Sequence, residues 1–124
     1  ERDGVRFILD CYNANPMSMR AALDNLARQE AQRRIAVLGT MAELGERTAE
    51  LHREVGRTAA ERGVDVLVCV GKEAREYAHG FVGEAHLCSS PEEARALLAR
   101  LVRPGDVVLL KASRAVGLER AIGL

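Results

Sequence analysis

No sign of charge dominates this sequence: 18 basic residues face 18 acidic ones, for a formal net charge of zero. That argues against a dedicated nucleic-acid or membrane-surface binder, which would carry a basic excess. No apolar run approaches the roughly 20 residues needed to cross a bilayer, and the opening ERDGVRF does not resemble a signal peptide. The expectation is a cytoplasmic location without membrane insertion. Cysteine is sparse. Cys11, Cys69 and Cys88 are an odd number at wide spacing, with no C-x-x-C and no Cys/His pair at metal-ligand spacing. Cys69 in VLVCVG reads as a small buried apolar residue in a reduced compartment. Cys11 follows Asp10 but has no histidine near it in sequence, and all three cysteines read as structural. G-x-G-x-x-G and G-x-x-x-x-G-K-[ST] are missing, as are a Ser-His-Asp order, a metal cluster and a pair of tuned acids.

What is present is an alternation. Apolar residues make up 48% of the 124 and charged residues 29%, the balance of a globular chain long enough for one domain with a core. Nearly continuous apolar runs at Val5–Leu9, Ile35–Leu38, Val66–Val70, Ala85–Cys88 and Val107–Leu110 read as parallel strands covered on both faces. Between them, Met17–Gln32, Glu46–Arg62, Lys72–Phe81 and Pro91–Val102 read as helices. In the first, Met19, Ala22, Leu23, Leu26 and Ala27 share one face. Asn15-Pro16 gives a cap and a proline at the first helical position, and Gly63 sits where the second helix should stop. Ser90-Pro91-Glu92-Glu93 starts another helix with acids in its first turn, and Pro104-Gly105-Asp106 turns into the last strand. With no internal repeat, low-complexity tract or linker, residues 1–124 read as a single α/β domain. It should be a Rossmann-like, open, mostly parallel sheet of about five or six strands with helices on both faces.

Such sheets bind ligands beyond the carboxyl ends of their strands. That singles out four loops. Asp10–Ser18 offers a carboxylate, a phenol and two carboxamides (Asp10, Tyr12, Asn13, Asn15) at a helix start. These suit ribose hydroxyls, an amide or a magnesium-bound phosphate, although Asn15 also reads as a plain cap. Gly39–Gly45 holds Thr40 and Glu43, which either face the crevice or belong to an ordinary loop whose Thr40 or Glu46 helps cap the next helix. Gly71–Glu73 has only a lone Gly-Lys, and Lys72 reads as solvated. Lys111–Gly117 brings Lys111, Ser113 and Arg114 together, a set able to hold a carboxylate or phosphate. Glu119 and Arg120 read as a surface pair on a short terminal helix. His52, His79 and His86 share no motif; exposed or satisfied structural roles suit His79 and His86. The residues by themselves describe a small-molecule binding face without a complete catalytic apparatus.

Four segments in order, DCYNANPMSMRAAL, IAVLGTMAELGE, HREVG and LLKASRAVGLER, resemble the C-terminal domain of the Mur ligases. The likeness runs from about Val5 to Leu124, and the first segment is specific to the branch that joins D-alanyl-D-alanine to UDP-N-acetylmuramoyl-tripeptide in peptidoglycan synthesis. The resemblance implies an ATP-dependent amide ligase: ATP, with Mg2+ present, phosphorylates the substrate carboxylate, the dipeptide amine attacks the acyl phosphate, and phosphate leaves. It implies that Asp10, Tyr12, Asn13 and Asn15 line the ATP crevice, Asp10 toward the ribose or phosphates. Ser113 and Arg114 would approach the dipeptide carboxylate or the phosphates, and Lys111, Glu43 and Thr40 are further candidates. No metal ligand is expected in this domain, since Mg2+ would be held mainly by a central domain.

The chain departs from the family pattern at several points. Asp is usual where Thr40 stands, glycines are common at Ala112 and Ala115, and a polar residue is frequent at Met17. The phosphate loop, the UDP-sugar domain and a linker arginine would all lie outside residues 1–124. The chain is therefore expected to be a quarter to a third of a three-domain ligase, closing over ATP, helping to place the dipeptide, and inactive alone. A free-standing nucleotide-binding or regulatory module is the alternative, and a structural interaction domain a more distant one. An upstream G-T-N-G-K-T-like phosphate loop would separate the first from the others.

Overall fold

The computed structural model describes residues 3–10, 14–112 and 121. Five strands form one sheet: β1 (Arg6–Asp10), β2 (Arg33–Gly39), β3 (Val66–Val70), β4 (Glu84–Cys88) and β5 (Asp106–Lys111). The spatial order is β1-β5-β2-β3-β4, and every pairing is parallel. Four helices alternate with the strands: α1 (Pro16–Ala27), α2 (Thr48–Glu61), α3 (Arg75–Gly80) and α4 (Pro91–Leu101). The expected open α/β sheet is present, with five parallel strands among the described residues.

Topology explains the layers. From β1 to β4 the chain advances across the sheet, and right-handed crossovers place α1, α2 and α3 on one face. There Met19, Leu23, Leu26, Val55, Ala59 and Tyr77 pack on Ala36, Leu38, Leu67, Cys69 and Leu109. The step from β4 back to β5 reverses direction, so the same handedness sends α4 to the other face, where Ala94 and Leu98 cover Ile35, Val37, Val68 and Leu110. Alternate residues of each central strand thus feed two cores. This is why β3 and β5 are buried along their whole length.

The helix starts follow the capping signals. Asn15 Oδ1 accepts the Ser18 N–H at 2.9 Å while Ser18 Oγ accepts the Asn15 N–H at 3.1 Å, a reciprocal capping box with Pro16 in the first turn. Ser90 Oγ accepts the Glu93 N–H at 3.1 Å to open α4, and Gly63 follows the end of α2 at φ +82°.

Element ends differ from the expectation where arginines intervene. Helix α1 stops at Ala27, not Gln32, because Arg34 donates to the carbonyls of Leu26 and Gln29 and Arg6 to that of Glu30. These guanidinium groups satisfy the helix end and free the chain to turn. Strand β2 then begins at Arg33, two residues earlier than its apolar run, since Arg33 and Arg34 pair with Asp106 and Val107. Residues 72–74 form a turn closed by the Arg75 and Glu76 N–H groups onto Lys72 and Glu73 carbonyls, so α3 starts at Arg75. A 3₁₀ turn, Gly45–Arg47, precedes α2.

Candidate functional site

Because all five strands are parallel, their carboxyl ends share one edge. Asp10, Lys111, Leu38, Cys69 and Leu87 stand in a single rung across the sheet. The four loops selected from the sequence therefore leave from neighbouring points, with successive strands about 4.8 Å apart.

At one end of that rung Lys111 Nζ lies 2.7 Å from Asp10 Oδ2. Strand β5 is sandwiched between β1 and β2, which leaves the Lys111 side chain only 2% exposed, whereas Asp10 on the outer strand is 43% exposed. An ammonium taken out of water needs a charged or hydrogen-bonded neighbour. Asp10 supplies one and keeps part of its carboxylate turned to solvent. The two residues form a charged pair that opens at the ligand edge.

Two strands along, the loop after β2 is held from beneath. His52, fully buried in α2, places Nδ1 2.6 Å from the Thr48 carbonyl oxygen and Nε2 3.0 Å from the Met41 amide nitrogen. One tautomer satisfies both: Nδ1–H donates to Thr48, and Nε2 accepts the Met41 N–H. Burial pushes the His52 pKa below its ordinary value, against the opposing pull of the Thr48 carbonyl, Glu73 and Glu76. Tyr77 of α3, also fully buried, donates its hydroxyl proton to the Gly39 carbonyl at 2.7 Å, and its ring centroid lies 4.8 Å from that of His52. Burial holds the Tyr77 phenol protonated, well above its usual range.

Thr40 sits between these two pinned peptide groups. Across from it Gly71 follows β3 at φ +114°, and a Cβ there would stand 2.8 Å from Thr40 Oγ1. Glycine at 71 thus serves both the backbone angle and the room Thr40 occupies. Beyond, Glu43 adopts φ +62° and Gly45 φ +61°, so the exposed loop tip turns through the left-handed region twice.

The family model described as Mur ligase, glutamate ligase domain, matches residues 1–114. The chain belongs to that family. Among curated relatives, the UDP-N-acetylmuramoyl-tripeptide--D-alanyl-D-alanine ligase of Mycobacterium bovis is 45% identical over 140 residues, covering 94% of this chain and 28% of that protein. The ligase of the same name from Escherichia coli is 33% identical over 91% of this chain and 25% of its own length. Among solved structures, the MurF ligase of Thermotoga maritima in complex with ADP superposes with a TM-score of 0.84 at 37% identity, over 98% of this chain and 28% of that one. The chain spans about a quarter of the length of these ligases.

Within this family member, the residues expected at the site fall into groups. Asp10 and Lys111 come together at the edge, and Thr40 follows β2, the strand next to that of Lys111. Asn15 is the cap of α1, its Oδ1 engaged with Ser18. Glu43 is exposed at the loop tip. Tyr12, Asn13, Ser113 and Arg114 lie outside the described residues, as do Cys11, Ala115, Glu119 and Arg120. Lys72 is exposed, as read from the sequence, beside an open groove of about 400 Å³ that it lines with Arg75, Ser89 and Glu93. His79 and His86 pair with Glu76 at 3.0 Å and Glu84 at 2.6 Å, satisfied structural positions as expected. Cys69 is a buried thiol whose pKa is pushed up to about 12 by burial, inert as a nucleophile.

His52 and Tyr77 were not among the residues expected at the site. Each sits in a helix whose pattern gives no sign of its partner, and their partners are backbone groups brought near only by the fold. His52 lies four residues after Thr48, which suits an in-helix bond to that carbonyl. Nothing local points to Met41 or Gly39.

Proposed function

We propose that this chain is the C-terminal domain of an ATP-dependent amide ligase that adds D-alanyl-D-alanine to UDP-N-acetylmuramoyl-tripeptide through an acyl phosphate. The observation that carries this reading is the Asp10–Lys111 pair at the carboxyl edge of the sheet, in a chain that superposes on an ADP-bound ligase of this family. The rest of the ligase would supply the phosphate loop and the UDP-sugar site, and this domain would close over the nucleotide. Within the ligase, residues 1–124 would belong to the C-terminal unit and be inactive alone.

In that role the half-exposed Asp10 carboxylate accepts from ribose hydroxyls, held in place by Lys111. Tyr12, Asn13 and the Asn15 Nδ2 group, which the cap does not use, complete the same wall. Ser113 and Arg114 would meet the dipeptide carboxylate or the phosphates, groups that a hydroxyl and a guanidinium can both hold. Closure excludes water from a hydrolysable acyl phosphate and aligns the incoming amine with it. After attack, phosphate leaves as the amide forms.

Magnesium would offset the charge of the phosphates in such a reaction. The described residues do not suit it: no three His, Cys, Asp or Glu side chains among them converge, and Asp10 faces an ammonium. No step is therefore assigned to a metal bound here; the ion belongs with the central part of the ligase. A ligase acting on UDP-linked precursors works in the cytoplasm, and among the described residues no helix is long and apolar enough to cross a membrane.

The decisive experiment is ligation by the complete enzyme with Asp10→Ala. Loss of a charge-assisted contact to the nucleotide should lower kcat/KM by about 10- to 100-fold. Wild-type turnover would remove Asp10 from the site. If the gene upstream of Glu1 encodes no phosphate loop, the ligase reading fails and a free-standing module takes its place.

A further inference from the structure

Burying an imidazole and a phenol costs more than burying leucine or phenylalanine of the same size, unless each polar atom finds a partner. Here both partners are peptide groups of one loop, one on each side of a single residue: Tyr77 Oη on the Gly39 carbonyl at 2.7 Å, and His52 Nε2 on the Met41 amide at 3.0 Å. An apolar pair would fill the space equally well. What the polar atoms add is a fixed position for the backbone at Thr40.

The surroundings point the same way. Helices α2 and α3 approach backbone to backbone: a Cβ on Gly56 would stand 1.9 Å from the Tyr77 carbonyl oxygen, and one on Gly80 2.1 Å from that of Arg53. That approach lets one side chain from each helix arrive together under the loop. Met41 is itself buried, anchoring the loop's far side in the core, while Thr40 is half-buried at the surface. Gly71 keeps the facing strand end clear of Thr40 Oγ1. Thr40 is thus the residue the clasp presents, one strand from Lys111 and two from Asp10 along the same edge.

We propose that His52 and Tyr77 are positioning residues for the ligation reaction: their polar atoms fix the peptide groups flanking Thr40 and so set the β2–α2 loop against an anionic group delivered to this edge. This rests on the reading of the edge as the closing face of a ligase. The anionic groups this domain would meet in that reaction are a nucleotide phosphate and the dipeptide carboxylate, and the Thr40 hydroxyl can donate to either. Neither His52 nor Tyr77 touches substrate; both act through the loop.

The test uses the complete ligase and measures KM for ATP, for D-alanyl-D-alanine and for the UDP-sugar tripeptide separately, with thermal midpoints alongside. Tyr77→Phe keeps the ring and removes only the hydroxyl. It should raise KM for ATP or for the dipeptide by about 5- to 10-fold, the scale of one lost neutral hydrogen bond, and leave KM for the tripeptide unchanged. Which of the two rises names the group that meets the loop. Thr40→Ala should reproduce the same rise with little change in thermal midpoint, while Thr40→Ser keeps the wild-type value. If Tyr77→Phe lowers the midpoint and every KM stays within about twofold, the clasp is core packing and the proposal is overturned. Should Tyr77→Phe fail to fold, Thr40→Ala decides: unchanged KM values overturn the proposal. Asp10→Ala in the same assay separates the two levels, because a loss there with no effect at Tyr77 and Thr40 sinks the clasp alone, whereas no effect at Asp10 removes the reading of the edge beneath it.

Discussion

Lys111 Nζ and Asp10 Oδ2 meet at 2.7 Å across adjacent parallel strands, with the ammonium buried and the carboxylate half in water. The pair is therefore unequal, and its two halves should respond unequally to removal. Lys111→Met fills the same slot with an apolar side chain and leaves Asp10 solvated, which should be the cheaper of the two changes. Asp10→Asn instead takes the negative charge from beside a buried ammonium and should cost about 1–3 kcal/mol. Urea unfolding of the 124-residue chain measures both. Equal costs, or a larger one for Lys111→Met, would contradict the asymmetry.

Gly56 and Gly80 set the distance between α2 and α3. In an open helix, Gly→Ala stabilises by roughly 1 kcal/mol through propensity. Here the added methyl would meet backbone at 1.9 Å and 2.1 Å, which neither rotamer change nor side-chain movement relieves. Each substitution should destabilise by about 1–3 kcal/mol or more. Gly63→Ala is the control: φ is +82° but nothing lies within 4 Å of the new methyl, so only the left-handed backbone cost of roughly 1–2 kcal/mol applies. Denaturant midpoints higher than wild type for Gly56→Ala or Gly80→Ala would show that the helices have room to separate.

At the opposite end of the sheet, Arg33 grips Asp106 with two hydrogen bonds, Nε to Oδ1 at 3.2 Å and Nη2 to Oδ2 at 2.8 Å. Asp106, nearly fully buried, also accepts the Arg103 N–H, and Arg33 donates onward to the Leu101 carbonyl at 2.6 Å. The cluster joins β2, β5 and the end of α4. Asp106→Ala strands a poorly solvated guanidinium and should lower stability by about 3–5 kcal/mol. Arg33→Met/Asp106→Leu, removing both charges, should cost less than the sum of the single changes. Because this cluster lies away from the ligand edge, folded variants should keep their substrate KM values, and a shifted KM would tie the two ends of the sheet together.

The layered fold is readable in the sequence because its signals are local. Runs such as Val66–Val70 need no partner to declare a buried strand, and Asn15-Pro16 or Ser90-Pro91 mark helix starts within a few residues. Helix ends were harder. Nothing local to residues 28–32 reveals that Arg6 and Arg34 will reach back to their carbonyls, so α1 reads five residues too long. Asp10 and Lys111 were legible as charged residues ending apolar strands, although their pairing depends on β5 inserting between β1 and β2. His52 and Tyr77 were not legible as partners of one loop, because 25 residues and two helix packings separate them.

His52 gives the chain a pH dependence of predictable sign. Its ring is buried against the Tyr77 ring, the Thr48 carbonyl and the Met41 N–H, with Glu73 and Glu76 the carboxylates whose fields reach it. Burial outweighs those fields and lowers its pKa from 6.5. As pH falls through about 6.5 the unfolded chain takes up a proton at this position more readily than the native chain. Unfolding is then favoured, so the stability present above pH 6.5 declines on the acid side, by at most about 1.4 kcal/mol per pH unit from this group. Comparing urea midpoints at pH 7.5 and 5.5 isolates it. Wild type should lose stability over that interval, and His52→Gln, less stable at pH 7.5 but lacking the titrating ring, should lose less. Parallel pH dependence in the two proteins would mean that the native imidazole accepts its proton as readily as the unfolded one, and that the Met41 N–H does not hold it neutral.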